Sequence, residues 1–449
     1  MPRHSLRSDR VAMWKSVLCR LLPVALLLIA GTPLSAALAA ERPQPIDLND
    51  AGPLIAREFV LYDPDYKTNR QARESKLADL ARSFVALQEQ GHNMSCSHQI
   101  YLEAKWMVEY TADWARTDRR LEALAESLKH IGQDAVEEQS PEDGSWGGCF
   151  EAWFMKVEAT VYHLEELANR GTPPKYPVTF LNRFLQPEAL TAYLQRLLVS
   201  DIADKGVDNR SELGSITASL TTIFFKKDVA KYARDQISGL SIDDDTVAAY
   251  QSFLDHWQDP ATGYWGAWYA ADGKVYRAPD LSLTYHQIAY HPGGIDNWPQ
   301  IIDTTMAIRD RPYPYGWMIH GHFNNHNNYD IVRTLKLAWP HATDAEKQAI
   351  RKVIGTMLQW CLNHSLKPDG SFKPDGTFYD SLGARYYYGV SFLDEVGYWN
   401  KANRFWTNDT FAKGKSTCCA IKARIHKTGM KGGVMASAIG KLERGCPAC

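Results

Sequence analysis

Four asparagines and His326 fall within five consecutive positions in Phe323-Asn-Asn-His-Asn-Asn-Tyr-Asp330. The segment opens the amphipathic run Ile331, Val332, Leu335, Leu337, and a single Asn would suffice to cap such a helix. Tyr329 lies three residues after His326 and four after Asn325, so the spacing predicts an amide, an imidazole and a phenol on one face of the first turn. Amides and imidazoles hydrogen-bond anionic oxygens, and an imidazole or a phenol can move a proton, so the chemistry on offer is acid–base work without a metal.

A second phenol completes the pattern. Gly370 lies forty-four residues after His326, and Tyr388, in Tyr386-Tyr387-Tyr388, lies eighteen residues beyond Gly370. Over these 65 residues the order and spacing resemble the alginate lyases with an incomplete (α/α) toroid, whose catalytic helix carries Asn-Asn-His followed by an aromatic. The resemblance implies a polysaccharide lyase that cuts an alginate- or glucuronan-like uronate polymer by β-elimination, without a cofactor. Asn325 and His326 would neutralise the uronate carboxylate, and Tyr388 would transfer the proton as base, acid or both in turn, with His326 the alternative base for one substrate stereochemistry. The family carries an Arg seven residues before this Tyr; here that position is Ser381, and Arg385 stands one helical turn further on. Arg385 is therefore expected beside Asn325, His326 and Tyr388 as the fourth catalytic group.

The substrate-binding set extends outward from this motif. Asn324 and Tyr329 flank His326. The region from Gly263 to Tyr329 is dense in rings and amides, as the lining of a sugar cleft would be, and from it Trp265, His286, Tyr290 and His322 are expected to bind substrate. Asn209 and Arg210, opening the helix through Leu213, Ile216 and Leu220, suit a uronate subsite, although capping also explains them. His320 and His322 could be metal ligands by spacing alone, but no partner motif accompanies them and no metal is expected.

These groups need rigid elements. Apolar residues recur at three- and four-residue intervals, for instance Leu77, Leu80, Ala81, Phe84 and Leu87, or Ile350, Val353, Ile354, Met357 and Cys361. Period-two runs are scarce, so the fold class is all-α, with a toroid or incomplete barrel of helical hairpins as its architecture. Asp143-Gly-Ser-Trp146, Thr262-Gly-Tyr-Trp265, Asp369-Gly-Ser-Phe372 and Asp375-Gly-Thr-Phe378 read as tight turns whose Gly takes positive φ. Asp243-Asp-Asp245 reads as a helix cap before Thr246.

Domain boundaries and partners follow from composition. A basic leader, an apolar stretch from Leu21 to Ala30 and small residues to Ala40 predict a cleaved signal peptide over 1–40 and a periplasmic or secreted protein. Residues 41–412 would form the catalytic toroid and 413–449 a basic, Cys-containing tail. The full chain has 50 Lys or Arg against 52 Asp or Glu, a net charge of -2, so nothing points to nucleic acid. Stable membrane insertion is not expected, and the expected partner is an anionic polysaccharide. Of 8 cysteines, Cys19 lies in the leader, leaving an odd number and at least one free thiol or intermolecular bridge. Cys446-Pro-Ala-Cys449 is expected as a terminal disulfide or as unpaired cysteines. Two other readings remain: a toroidal glycoside hydrolase using carboxylates among Asp375, Asp380, Asp394 and Glu395, and a non-catalytic polysaccharide-binding protein.

Overall fold

The three- and four-residue apolar spacing is realised as helices along most of the chain. The computed structural model describes residues 43–130, 134, 137–374, 381–430, 434–447 and 449. The expected leader and the turn at Asp375–Phe378 lie outside the described residues. The first helices are α1 (Leu48–Tyr62), α2 (Tyr66–Glu89), α3 (Ser95–Tyr110), α4 (Trp114–Ser127) and α5 (Trp153–Arg170). They are followed by α6 (Pro187–Leu198), α7 (Ile202–Lys205), α8 (Arg210–Phe225), α9 (Lys227–Gln236), α10 (Asp244–Trp257), α11 (Leu281–Tyr290) and α12 (Trp298–Ala307). The last are α13 (Asn325–Ala338), α14 (Asp344–Trp360), α15 (Leu382–Glu395), α16 (Gly414–Thr428) and α17 (Val434–Gly445).

Side-chain caps set several of these starts. Asp243 accepts from Thr246 N at 2.6 Å and begins α10, as its reading as a cap required. Thr343 and Glu346 form a reciprocal capping box on α14. Ser381, which stands where the resemblance has an Arg, accepts from Ala384 N at 3.3 Å and caps α15. That position is therefore spent on starting the helix that carries Tyr388.

Helices α5, α8, α11, α13, α15 and α17 pack each on the next in that order. Others support them from behind: α9 lies on α5 and α8, α6 on α8, α10 on α6, α12 and α14 on α13, and α16 on α17. One continuous apolar core runs from Phe59 to Cys446, and a second, among α2, α3 and α4, is built on Leu77, Phe84, Tyr101, Leu121 and Leu124.

Strand structure among the described residues is confined to one small sheet of order β1 (Gln44–Pro45), β4 (Lys274–Arg277), β3 (Trp268–Ala271), β2 (Val199–Ser200). Only β3 and β4 form a hairpin, pairing Trp268 with Arg277 and Ala271 with Lys274; it follows the aromatic turn at Trp265. The turn reading holds at Gly144, Gly263 and Gly370, where φ is 72°, 69° and 84°. At Gly144 a Cβ would also come 2.2 Å from Pro177 O, so glycine is required twice over.

The segment expected as a basic tail is built into the fold. Helices α16 and α17 bury Cys418, Ile421, Ile425, Met435, Ala438 and Leu442 in the main core. Cys446 and Cys449 do not pair with each other: Cys418 bonds Cys446, Cys419 bonds Cys449, and Cys96 bonds Cys149. Both tail bridges thus tie α16 to the end of α17. Cys361, buried just after α14, is the free thiol among the described residues. No helix among the described residues is long and apolar enough to cross a membrane.

Candidate active site

Asn324 begins α13, its Oδ1 accepting from Asn327 N at 2.8 Å, so this residue works as the helix cap. Asn325 donates from Nδ2 to Ser365 Oγ at 2.7 Å, and both are buried. The amide expected to neutralise a substrate carboxylate is thus turned to the end of α14. Asn327 donates to Trp317 O at 2.8 Å, which ties the start of α13 to the preceding loop.

His326 points elsewhere and meets Tyr388. Their ring centroids are 4.4 Å apart with planes at 65°, an edge-to-face contact between α13 and α15. Tyr313 touches the same imidazole at 5.9 Å. His326 is 5 % exposed; burial, reinforced by nearby His286, pushes its pKa down to about 3, so it is neutral at physiological pH. One turn on, Asp330 Oδ2 lies 3.4 Å from His326 Nε2, and burial holds its carboxyl far above the usual carboxylate range.

Tyr329 stands in an aromatic wall with Tyr285 and Tyr387, at ring distances of 5.9 and 6.4 Å. Burial raises its phenol to about 12. Lys441, from α17, places its ammonium 5.1 Å from the Tyr329 ring and 4.8 Å from the Tyr387 ring, and it hydrogen-bonds Ser391. Burial lowers its pKa to about 8. Arg385 is half-buried on α15, three residues before Tyr388.

Next to this pair a cavity of about 170 Å³ opens among α3, α5, α8 and α11. His286, Tyr290 and Tyr313 line part of it. His286 is pushed down to about 4 by burial, and its Nδ1 has no hydrogen-bond partner among the described residues. Arg210 also reaches the cavity, but Nε and Nη2 are held by Asp280 at 2.5 and 3.0 Å and Nη1 by Tyr110 Oη at 3.2 Å. Its charge is largely matched within the protein. Three acids, Glu109, Glu158 and Glu165, line the cavity as well, among serines and apolar residues. Glu165 pairs with Lys226, while Glu158 meets only the Ser215 hydroxyl, at 2.7 Å, among the described residues. Glu158 is open to the cleft yet deep in the protein mass, and that desolvation raises its pKa.

The structure therefore brings together His326, Tyr388, His286, Tyr290 and Arg210 around one region, with Tyr329 in the adjoining wall. Three expected binders lie elsewhere. Trp265 is 3 % exposed and donates from Nε1 to Leu254 O at 2.9 Å, because the aromatic turn buries its ring between helices. Asn209 donates to Val199 O at 3.2 Å, tying the start of α8 to β2 rather than facing the cavity. His322 is exposed on a surface turn, bonded through its backbone to Ile319 at 2.9 Å. Of the carboxylates considered for a hydrolase, Glu395 is paired with Arg333 and Lys336, and Asp394 accepts from Trp399 and Asn403. Asp375 and Asp380 lie outside the described residues. Among the described residues no three His, Cys, Asp or Glu side chains group as a metal site.

No protein-family model, curated protein or solved structure matches this chain. Sequence reading missed Glu109, Glu158, Glu165 and Lys441, whereas Tyr313 lies in the ring-rich stretch it singled out as a cleft lining. Glu158, Tyr162 and Glu165 do stand at helical spacing beside the apolar stripe of α5, but a solvated helix face has the same pattern.

Proposed function

We propose that this protein is a polysaccharide lyase, an exported (α/α) toroid that cleaves a uronate-containing polymer by β-elimination. The observation that carries the reading is the edge-to-face contact of His326 and Tyr388 at 4.4 Å, beside the cavity-lining Tyr313. The succession of α5, α8, α11, α13, α15 and α17 around it supports an incomplete toroid, and three disulfides support export.

In this reaction Tyr388 takes the proton from C5 of the uronate. The C5–H electrons form the C4–C5 double bond, the C4–O bond breaks, and the departing oxygen takes that same proton back from Tyr388, which returns to the phenolate that began the cycle. Charge that builds on the carboxylate is met by hydrogen bonding from neutral His326 and by Arg385. Asn325 acts at one remove, anchoring the start of α13 through Ser365.

The test is incubation of purified protein with a panel of uronate polymers, following the ultraviolet absorbance of the unsaturated product. Its appearance is expected. New reducing ends without that chromophore would replace elimination by hydrolysis, and binding without cleavage would leave a polysaccharide-binding protein.

A further inference from the structure

A polymer that is anionic at every unit fits this cavity badly. Arg210 is held by Asp280 and Lys226 by Glu165, so neither cation is left to receive a second carboxylate. Glu109 has no hydrogen bond or ion pair among the described residues, and Glu158 has only the Ser215 hydroxyl. Two carboxylates thus face the cavity without a cation. Desolvation makes an uncompensated carboxylate costly, and an incoming ammonium would relieve that cost.

Two further groups await hydrogen bonds. Ser219 lines the same cavity, is 4 % exposed, and makes no hydrogen bond from its hydroxyl among the described residues. His286 Nδ1 is buried and unpartnered on another part of the lining. Tyr162 and Tyr290 supply ring surface. Carboxylates for an ammonium, small polar groups for hydroxyls and aromatic faces for a pyranose together describe one sugar unit that carries a positive charge.

We propose that the cavity among α3, α5, α8 and α11 is a subsite for an unacetylated hexosamine, its ammonium received by Glu109 and Glu158. The polymer then mixes amino sugar with uronate, the uronate lying at His326 and Tyr388; this last part rests on the lyase reading above. An N-acetyl group would remove the charge and add bulk in a cavity of about 170 Å³. A homopolymeric uronate would set a carboxylate against Glu109 and Glu158.

The experiment compares three substrates with the purified full chain: a uronate homopolymer, an alternating uronate–N-acetylhexosamine polymer, and the latter after N-deacetylation. The deacetylated polymer is expected to give unsaturated product with kcat/KM at least about tenfold above the other two. Glu158→Gln and Glu109→Gln should each reduce that preference by about tenfold, with circular dichroism reporting an intact fold. If the homopolymer is preferred, or the preference survives both substitutions, the subsite is wrong while the lyase reading stands. If no polymer yields unsaturated product, the lyase reading fails, and titration calorimetry with an unacetylated hexosamine oligosaccharide decides the subsite. Binding that Glu158→Gln weakens about tenfold supports it, and no binding overturns it.

Discussion

Tyr388 and His326 meet edge to face at 4.4 Å, and their contact separates the effects of single substitutions. Tyr388→Phe keeps the ring and its packing, so fold and polymer affinity should persist while turnover falls by about two to four orders of magnitude. Steady-state rates beside a binding isotherm check this; a loss of affinity with unchanged turnover would remove Tyr388 from the chemistry. Asn325→Ala should act differently, because its amide is bonded to buried Ser365: a stability loss of roughly 1–2 kcal/mol by denaturant unfolding. The neutral histidines carry a pH signature. Burial holds His326 at about 3 and His98 and His286 at about 4, whereas in the unfolded chain each titrates near the ordinary value of about 6.5. Between about 6.5 and 4 the unfolded chain therefore binds protons that the folded chain does not, so stability falls as pH falls. Asp330, raised by burial, works in the opposite sense and offsets part of the loss. Melting curves at pH 7 and pH 4.5 should show a net loss on the order of a few kcal/mol, reduced in His326→Gln. The same pH dependence in wild type and His326→Gln would mean that this imidazole is not held neutral. The sequence pattern singled out His326 and Tyr388, whose rings meet in the fold, because residue type and spacing are local properties. It could not show that Arg210 is neutralised by Asp280 seventy positions away, since that pairing exists only once α8 and α11 are packed.

Helices α16 and α17 illustrate what an element adds that its composition conceals. Their Lys and Arg content reads as a solvated tail, yet Ile421, Ile425, Met435 and Leu442 put their apolar faces in the core, and two disulfides close loops of 28 and 30 residues. Helix periodicity was readable in α5 and α14 because each buries a wide stripe, and in α2 because Leu77 and Phe84 anchor a narrow one. In α17 the stripe is short, and small residues lie between its apolar positions. The turns at Gly144, Gly263 and Gly370 were legible because positive φ demands glycine, whereas β1 and β2, two residues each, leave no period to read. Through Lys441, α17 also braces Tyr387 and Tyr329, the neighbours of Tyr388 and His326 on α15 and α13. Cys418→Ser with Cys446→Ser should therefore cost about 2–4 kcal/mol of stability by denaturant unfolding. The same pair should lower turnover more than affinity, because the wall behind Tyr388 loosens. Reduction of the wild-type protein by a thiol should give losses at least as large, since it also opens Cys419–Cys449 and Cys96–Cys149. Full activity and unchanged unfolding after reduction would show that the bridges contribute nothing to the site.

Across the whole molecule, charge is nearly balanced, with 50 basic against 52 acidic residues, and Glu109 and Glu158 add local negative potential at the cavity. Total charge was readable from the sequence, but its placement was not: eight Lys or Arg lie in 413–449, while the cavity is lined by acids from α3 and α5. These two distributions give opposite salt dependences. If the basic helices α16 and α17 capture the polymer, added salt screens the attraction and KM for a uronate homopolymer climbs steeply. If the cavity acids govern access, added salt screens a repulsion instead. KM for the homopolymer should then fall by roughly two- to fivefold between low salt and 0.15 M, where the Debye length is about 8 Å. Turnover at saturation should change little, because the chemistry proposed for the packed His326 and Tyr388 puts no net charge on the imidazole. A polymer containing unacetylated amino sugar should respond in the opposite direction, its KM rising with salt as the ammonium's attraction to Glu109 and Glu158 is screened. Initial rates for both polymers across a salt series provide the check. A steep rise in KM for both would place substrate capture on the basic helices and remove the cavity acids from recognition.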